Sequence, residues 1–273
     1  CGQNGVVGHM GCAFSLIEGN HIHRIGTKRE FFGWEVAAIK MHAAVDTVVR
    51  GNRVHDSVLG MWLDWQAQGT VVDSNVFYRN TRDVMTEVTH GPITFMNNVF
   101  ASEFSFDDYA QGAAFVNNLF AGRIRHTAVL DRSTPYHFPH ATDVAGEAFV
   151  YGGDDRYINN LFLAVGDSAK PLRTAAGAAG MAEAGTAFFD GYPRSLEEYE
   201  QLIEEAGLGD EELYRSVKQP VLLASNAYVS GAKAASGEAE AVVSDDGSSL
   251  ALRETDDELW MTVSLPEPIR SAT

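Results

Sequence analysis

Residues 71–100, VVDSNVFYRNTRDVMTEVTHGPITFMNNVF, contain two successive copies of one pattern, an asparagine followed by apolar and aromatic residues. Asn75 begins NVFY and Asn98 begins NVFA, and 23 residues separate the two asparagines. A repeat of this length, rich in short β-branched runs, is typical of solenoids that stack one coil per repeat. This stretch therefore predicts a β-solenoid.

The same asparagine pattern recurs on both sides of this stretch. The markers lie at intervals of 32, 23, 23, 20 and 42 residues and are Asn20, Asn52, Asn75, Asn98, Asn118 and Asn160. Between them lie short apolar segments without helical period, which predict parallel strands joined by turns. We therefore predict an all-β fold, a right-handed parallel β-helix, over residues 1–172. The asparagines should stack as an internal ladder.

The sequence changes character after about residue 172. Residues 173–220 are typical of a linker with short helices. Ser195 followed by Glu198 forms a capping box, which predicts a helix that ends at Gly207. A second short helix is predicted over residues 210–217. Residues 221–273 alternate apolar and polar side chains around the turn DDGS, which predicts β-sandwich-like strands.

The composition limits the classes of partner. A chain of 273 residues with 45% hydrophobic residues can bury a substantial core. It contains no apolar run of about eighteen residues, so no membrane span is expected. The net charge is −17, and residues 176–273 alone carry 19 acidic and 6 basic residues, which argues against a nucleic-acid partner. Cys1 and Cys12 provide neither a disulfide framework nor a metal-binding spacing.

The chain opens at Cys1, inside residues that resemble part of a coil and without the pattern of a signal peptide. We therefore expect it to belong to a longer protein with further upstream coils. A cytoplasmic location is the corresponding expectation. Whether the protein forms homo-oligomers stays open.

Two acids occupy the same position in neighbouring repeats: Asp64 and Glu87 each lie eleven residues before a marker asparagine. On adjacent coils they would be about 5 Å apart, close to the roughly 5–5.5 Å between the carboxyls of a retaining glycosidase. Glycoside hydrolysis needs one acid to protonate the leaving oxygen and one carboxylate to stabilise or attack the anomeric carbon. The spacing does not assign these roles, although the longer side chain of Glu87 favours it as proton donor.

The same alignment places Asp107 in line with the acid pair. It also gathers polar and aromatic side chains on the face of the solenoid that carries these acids. Tryptophan offers a flat apolar surface to a sugar ring, while acids and amides bind its hydroxyls. A long insertion, HTAVLDRSTPYHFPHATDV (126–144), adds a histidine to this face. The predicted substrate-binding residues are Lys40, His42, Trp62, Trp65, Gln68, His90, Asp107, Asp108 and His137.

Four stretches of the chain resemble one known family: GMWLDWQAQGT (60–70), TEVTHGPITFMNN (86–98), DRSTPYHFPH (131–140) and GGDDRYINNLF (152–162). They are similar to glycoside hydrolase family 120, β-xylosidases built on a right-handed parallel β-helix with an accompanying β-sandwich. The resemblance covers about residues 1–165. It implies a retaining double displacement with Asp64 as nucleophile and Glu87 as general acid/base. It also implies that Glu35 and Lys40 contact the sugar, that xylose is removed from the non-reducing end of short xylo-oligosaccharides, and that no catalytic metal or cofactor takes part.

The residues themselves leave xylose, arabinose and galactose open as the sugar, and two other classes of function as well. A polysaccharide lyase would use Lys40 as the base and hold Ca²⁺ with several carboxylates, so a chelator would abolish its activity. Its ligands would be Asp64, Glu87, Asp107 and Asp108. A non-catalytic carbohydrate-binding solenoid would keep its glycan affinity after Asp64→Asn and Glu87→Gln.

Overall fold

The computed structural model describes residues 1–10, 12–28, 35–166, 172–173, 181–209, 212, 216–245, 247–255 and 258–271. In chain order, the first fourteen strands are β1 (Asn4–Gly8), β2 (Leu16–Glu18), β3 (His21–His23), β4 (Ala37–His42), β5 (Val48–Arg50), β6 (Arg53–His55), β7 (Leu59–Asp64), β8 (Thr70–Asp73), β9 (Val76–Tyr78), β10 (Arg82–Glu87), β11 (Ile93–Met96), β12 (Val99–Phe100), β13 (Phe104–Tyr109) and β14 (Ala113–Val116). The remaining strands, and the α-helices whose bounds lie within the described residues, are β15 (Leu119–Phe120), β16 (Arg123–His126), β17 (Val129–His137), β18 (Val144–Val150), β19 (Arg156–Ile158), β20 (Leu161–Leu163), β21 (Leu172–Arg173), β22 (Met181–Ala182), α1 (Leu196–Ala206), β23 (Leu222–Ala224), β24 (Ala227–Val229), β25 (Val242–Ser244), β26 (Ser249–Glu254), β27 (Leu259–Ser264) and α2 (Glu267–Arg270).

Most of these strands belong to three parallel sheets. Sheet A has the order β1-β4-β7-β10-β13-β16, sheet B the order β2-β5-β8-β11-β14-β19-β23, and sheet C the order β25-β24-β20-β15-β12-β9-β6-β3. From β1 to β15 the chain enters sheets A, B and C in turn and then returns to sheet A beside its previous strand. Each such circuit of three strands is one coil. The prediction of a mostly β chain with stacked parallel strands is confirmed.

The interior of the coils contains a column of stacked aromatic rings. Neighbouring ring centroids are 4.9–5.6 Å apart along Phe77, Phe100, Phe120, Phe162 and Tyr228. All five side chains are fully buried. Because the ring spacing matches the separation of neighbouring strands, each coil can stack its ring on the next without distorting the sheet.

The marker asparagines form a ladder where sheet B turns into sheet C. At each step the backbone N–H and the side-chain amide of one asparagine both donate to the Oδ1 atom of the next, at 2.8–3.0 Å. The predicted ladder is therefore confirmed. It extends one step beyond the predicted markers, from Asn160 to Asn226, which begins the similar segment NAYV.

Replacing Asn98 by alanine should lower the free energy of unfolding by about 3 kcal/mol. Asn98 accepts two hydrogen bonds from Asn75 and donates to the Val72 carbonyl and to Asn118, and each buried group left unpaired costs about 1–3 kcal/mol. The matched control is Asn97→Gly, because Asn97 is exposed and has a left-handed φ of 56°. Urea denaturation measures both variants, and equal losses would contradict a stabilising role for the ladder.

The helix predicted after residue 193 is present as α1. Ser195 Oγ accepts a hydrogen bond from the Glu198 backbone N–H at 3.1 Å, and Gly207 ends the helix with a φ of 58°. Of residues 210–217 only 212, 216 and 217 are described, so most of the second predicted helix lies outside the described residues. Among those residues that are described, no helix combines the length and the apolar character needed to cross a membrane.

The prediction of β-sandwich-like strands is wrong for the first part of residues 221–273. There β23, β24 and β25 pair in parallel with neighbouring strands and so extend sheets B and C. Among the strands described within residues 221–273, only β26 and β27 pair antiparallel, as a hairpin. Short alternating segments do not specify their pairing partner, whereas the asparagine marker does identify a coil. The division into domains at residues 172 and 220 stays a prediction.

Candidate active site

Asp64 and Glu87 end neighbouring strands of sheet A. Strands β7 and β10 pair in register up to Leu63 and Thr86, and each acid is the next residue. Leu63 belongs to the core. Because side chains alternate along a strand, both carboxylates project from the outer face, about one strand spacing or roughly 4.8 Å apart. The predicted register of the acid pair is therefore confirmed.

The predicted alignment is wrong for Asp107. Tyr109 pairs with Glu87 across sheet A, whereas Asp107 pairs with Met85. The cause is a shorter turn, since residues 110–112 join β13 to β14 whereas residues 88–92 join β10 to β11. Counting back from the asparagine therefore misses the register by two residues in this coil.

Asp107 and Asp108 are buried and already engaged. Asp107 accepts two hydrogen bonds from Arg125, at 2.7 and 2.6 Å, and a third from Arg82 at 2.6 Å. Asp108 faces the opposite side of the strand, where it accepts a hydrogen bond from Thr86 Oγ1 at 2.6 Å. Neither aspartate offers a free exposed oxygen to a sugar. Contrary to the prediction, the structure does not bring these two residues to the outer face beside Asp64 as ligands for a sugar.

Lys40 lies at the centre of a charged cluster around Asp64. Its fully buried ammonium contacts Asp64 Oδ2. It also lies 3.2 Å from Glu35 Oε2 and 3.2 Å from His42 Nε2. His42, which pairs with Asp64 across the sheet, approaches the same Oδ2 atom to 3.2 Å. Burial raises the pKa of Glu35, but the hydrogen bond and charge of Lys40 outweigh this and lower it overall. Three predicted site residues therefore surround Asp64.

The same cluster has the geometry of a possible metal site. One ligand atom from each of Glu35, His42 and Asp64 lies within 4.8 Å of the other two. The ammonium of Lys40 contacts all three side chains and supplies the positive charge there. A metal ion at this position would have to displace a buried lysine, so the cluster is better described as an ion-pair network.

The two tryptophans have different positions. The Lys40 ammonium lies 3.6 Å from the ring centre of Trp62, which is only 5% exposed. Trp65 is 38% exposed, and its backbone N–H donates to Asp64 Oδ1 at 2.8 Å. Trp65 is therefore available to a ligand, whereas Trp62 supports Lys40.

Glu87 occupies a different environment from Asp64. Burial, followed by the charge of Asp64, raises the pKa of Glu87, although Arg132 and Lys40 partly oppose this. Arg132 Nη2 donates to Glu87 Oε1. Val88, the next residue, has a φ of 44°, which is an outlier for a β-branched side chain. Such outliers occur where the surrounding structure fixes a functional side chain. A carboxyl with a raised pKa is suited to general acid catalysis.

Arg132 belongs to the insertion, where β17 and β18 form an antiparallel hairpin. Three predicted binding residues attach this hairpin to the coils. The Gln68 side chain bonds the backbone N–H and carbonyl of His137, at 2.9 and 2.8 Å. His90 Nε2 lies 3.0 Å from Thr134 Oγ1, and burial lowers the pKa of this histidine. These residues hold the hairpin. Arg132 is a further functional candidate that the repeat pattern does not indicate, although it lies in the DRSTPYHFPH motif.

An acid pair in unlike environments, with an exposed tryptophan beside it on a stack of parallel strands, is the arrangement expected of a glycoside hydrolase. Among solved structures, the chain is similar to XylC in its complex with xylose, with a TM-score of 0.90 and 44% sequence identity. This similarity covers 99% of the chain and 40% of XylC, so the chain spans about two fifths of that protein's length. The comparison supports the resemblance to β-xylosidases of glycoside hydrolase family 120. No family model and no curated protein matches the chain.

Proposed function

We propose that the chain forms the catalytic part of a retaining exo-β-xylosidase built on a right-handed parallel β-helix. The observation that carries the proposal is the pair of adjacent carboxylates, Asp64 and Glu87, in unlike environments. The similarity to a protein solved with xylose supports the choice of xylose as the sugar. The substrate would be a short xylo-oligosaccharide, cleaved at its non-reducing end.

In the first half of the reaction, Asp64 is the nucleophile. Its Oδ2 atom contacts Lys40 and its Oδ1 atom accepts the Trp65 N–H, so the carboxylate is held in one orientation. Asp64 attacks the anomeric carbon, the bond to the leaving oxygen breaks, and Glu87 gives its proton to that oxygen. The product of this half is a xylosyl ester of Asp64.

In the second half, a water molecule attacks the anomeric carbon of the ester. Glu87, now ionised, accepts the proton of the water, and Asp64 leaves as a carboxylate. Esterification of Asp64 removes the negative charge that raises the pKa of Glu87, while Arg132 still favours the ionised form. The same carboxyl can therefore act as acid first and as base afterwards, and two displacements at one carbon retain its configuration.

Two further side chains are suited to binding the sugar. The exposed indole of Trp65 can cover the apolar face of a xylose ring. Glu35 has a side chain that is 49% exposed and ion-paired to Lys40, so its carboxylate can accept hydrogen bonds from sugar hydroxyls. These contacts would position the ring above the acid pair.

Labelling with a 2-fluoro-β-xyloside that carries a good leaving group tests the proposal. We expect stoichiometric inactivation, an adduct on the peptide that contains Asp64, and turnover of aryl β-xylosides in preference to aryl arabinosides and galactosides. An active preparation in which Asp64 stays unlabelled would contradict the assigned nucleophile. Activity on another glycoside alone would contradict the assigned sugar.

The two alternatives make different predictions. A lyase that holds Ca²⁺ needs several carboxylates around one ion, but Asp107 and Asp108 are engaged elsewhere and do not join the acid pair. A non-catalytic binding module would turn over no aryl glycoside and would keep its glycan affinity in the Asp64→Asn variant. A cytoplasmic location and homo-oligomer formation stay predictions.

Replacing Arg132 by leucine should extend activity to higher pH. Arg132 lowers the pKa of Glu87, so its removal should raise that pKa, and a carboxyl that donates a proton is active below its pKa. We expect the basic limb of the pH profile of kcat/KM to move up by about half to one pH unit. The shift should be no larger, because the Arg132 guanidinium is 40% exposed and its charge is partly screened. Arg132→Lys should keep most of the original profile. An unmoved limb in the leucine variant would show that Arg132 does not act on Glu87.

A further inference from the structure

A second cluster of titratable groups lies on the opposite side of sheet A from the acid pair. It consists of Asp108 near the end of β13, His126 at the end of β16 and Asp155 just before β19. His126 Nδ1 lies 3.0 Å from Asp108 Oδ2 and 3.9 Å from Asp155 Oδ2. The three side chains are at most 2% exposed. None of them has a part in the proposed reaction.

One polar atom of this cluster has no partner. Asp155 Oδ2 is buried and makes no hydrogen bond within the described part of the chain. The other oxygen of Asp155 accepts the Ala113 N–H at 2.9 Å. Buried polar atoms are almost always paired, so an unpaired carboxylate oxygen 3.9 Å from His126 Nδ1 indicates that a further species binds there.

The cluster places two buried carboxylates beside one imidazole. Two adjacent buried carboxylates are costly unless a proton or a cation compensates them.

We propose that Asp108, His126 and Asp155 bind one divalent transition-metal ion, for which Zn²⁺ is the best match. Their ligand atoms all lie within 4.8 Å of one another. Two ligand atoms that each lie about 2.1 Å from the same ion are about 3–4 Å apart. The distances from His126 Nδ1 to Asp108 Oδ2 and to Asp155 Oδ2, 3.0 and 3.9 Å, fall in this range. One imidazole and two carboxylates suit zinc, whereas Ca²⁺ prefers six to eight oxygens. A water molecule would complete the coordination.

The position of the ion gives it a structural role. His126 and Asp155 flank the hairpin β17–β18 in the sequence, so one ion would join the two ends of the insertion. The rings of Phe188, Phe189 and Tyr192 lie 4.9–6.0 Å from the His126 ring and separate it from solvent. A closed site of this kind contributes to folding instead of activating water. The ion would fix the base of the hairpin that carries Arg132.

Metal analysis and thermal denaturation of the whole chain test this site. After dialysis against a chelator, we expect one Zn²⁺ per chain to rebind and Tm to rise by about 5 °C at an ion concentration about 100-fold above Kd. Asp155→Asn should bind zinc at least about 100-fold more weakly, and its metal-free Tm should equal or exceed that of the wild type because a buried charge is removed. Asp154→Asn, a change at the half-exposed neighbour, is the matched control and should behave as the wild type.

Three results would overturn the proposal. The first is that neither Zn²⁺, Mn²⁺ nor Ca²⁺ raises the Tm of the wild type, in which case a proton on Asp155 compensates the cluster. The second is that Asp155→Asn keeps the full zinc affinity. The third is an X-ray absorption spectrum of the zinc-loaded wild type that shows two imidazole ligands. Such a spectrum would place the ion at the exposed His21 and the buried His55, whose Nε2 atoms are 2.7 Å apart. A single imidazole is expected, and this spectrum needs no folded variant.

Discussion

Asp64→Ala should lower kcat/KM for an aryl β-xyloside by about 10⁴-fold or more, because no carboxylate remains to form the glycosyl ester. Added azide should enter the vacated space and attack the anomeric carbon directly. The expected product is the α-xylosyl azide, with inverted configuration, which NMR identifies. A β-xylosyl azide from this variant would assign the nucleophile to another residue.

Removal of Asp64 also leaves the buried ammonium of Lys40 without its main partner. An uncompensated buried charge can cost about 3–5 kcal/mol, so loss of activity could reflect loss of the fold. Asp64→Asn is the matched variant because it keeps the shape and the Oδ1 acceptor for the Trp65 N–H. It should retain a cooperative thermal transition and still lose activity. Rescue of Asp64→Ala by azide would itself show that this variant is folded.

Glu87→Gln should lower kcat/KM for xylobiose by about 10²–10⁴-fold, the usual contribution of a positioned general acid. The loss should be much smaller for a dinitrophenyl β-xyloside, because its leaving group needs no proton. The basic limb of the pH profile should disappear, since the group whose pKa is raised is gone. Azide should here yield the β-xylosyl azide, because it attacks the ester of Asp64.

The matched control for Glu87→Gln is Glu147→Gln, on the hairpin and bonded to Ser133 at 3.2 Å. This change should leave both substrates unaffected. Equal losses of activity on xylobiose and on the dinitrophenyl xyloside would contradict a role for Glu87 in proton transfer.

The repeat could be predicted from the sequence because its signals are local. An asparagine at a fixed point of each coil, such as Asn75 or Asn98, identifies both the period and the ladder. The acid pair followed from the same arithmetic, since the coils that end in these two asparagines have equal length. Where the coil length changes, counting back from the asparagine gives the wrong register, as it does for Asp107.

The parts that could not be predicted depend on contacts between distant residues. Gln68 and His137 are 69 residues apart, and only the folded chain shows that they bind each other instead of a sugar. Arg132 reaches Glu87 because the hairpin folds back over the sheet. Trp62 and Trp65 are three residues apart in sequence, yet only the folded chain shows that Trp62 packs over the Lys40 ammonium while Trp65 is exposed.

The placement of the two acids on adjacent coils has a consequence for stereochemistry. In stacked strands the distance between equivalent side chains can only be a whole number of strand spacings, each about 4.8 Å. Two acids on neighbouring coils are about 4.8 Å apart, near the roughly 5–5.5 Å between the carboxyls of retaining enzymes. Two acids separated by one further coil would be about 9.6 Å apart, near the upper end of the range of about 6.5–9.5 Å found in inverting enzymes. On such a scaffold, retention or inversion is a discrete choice, and the number of coils between the two acids makes it.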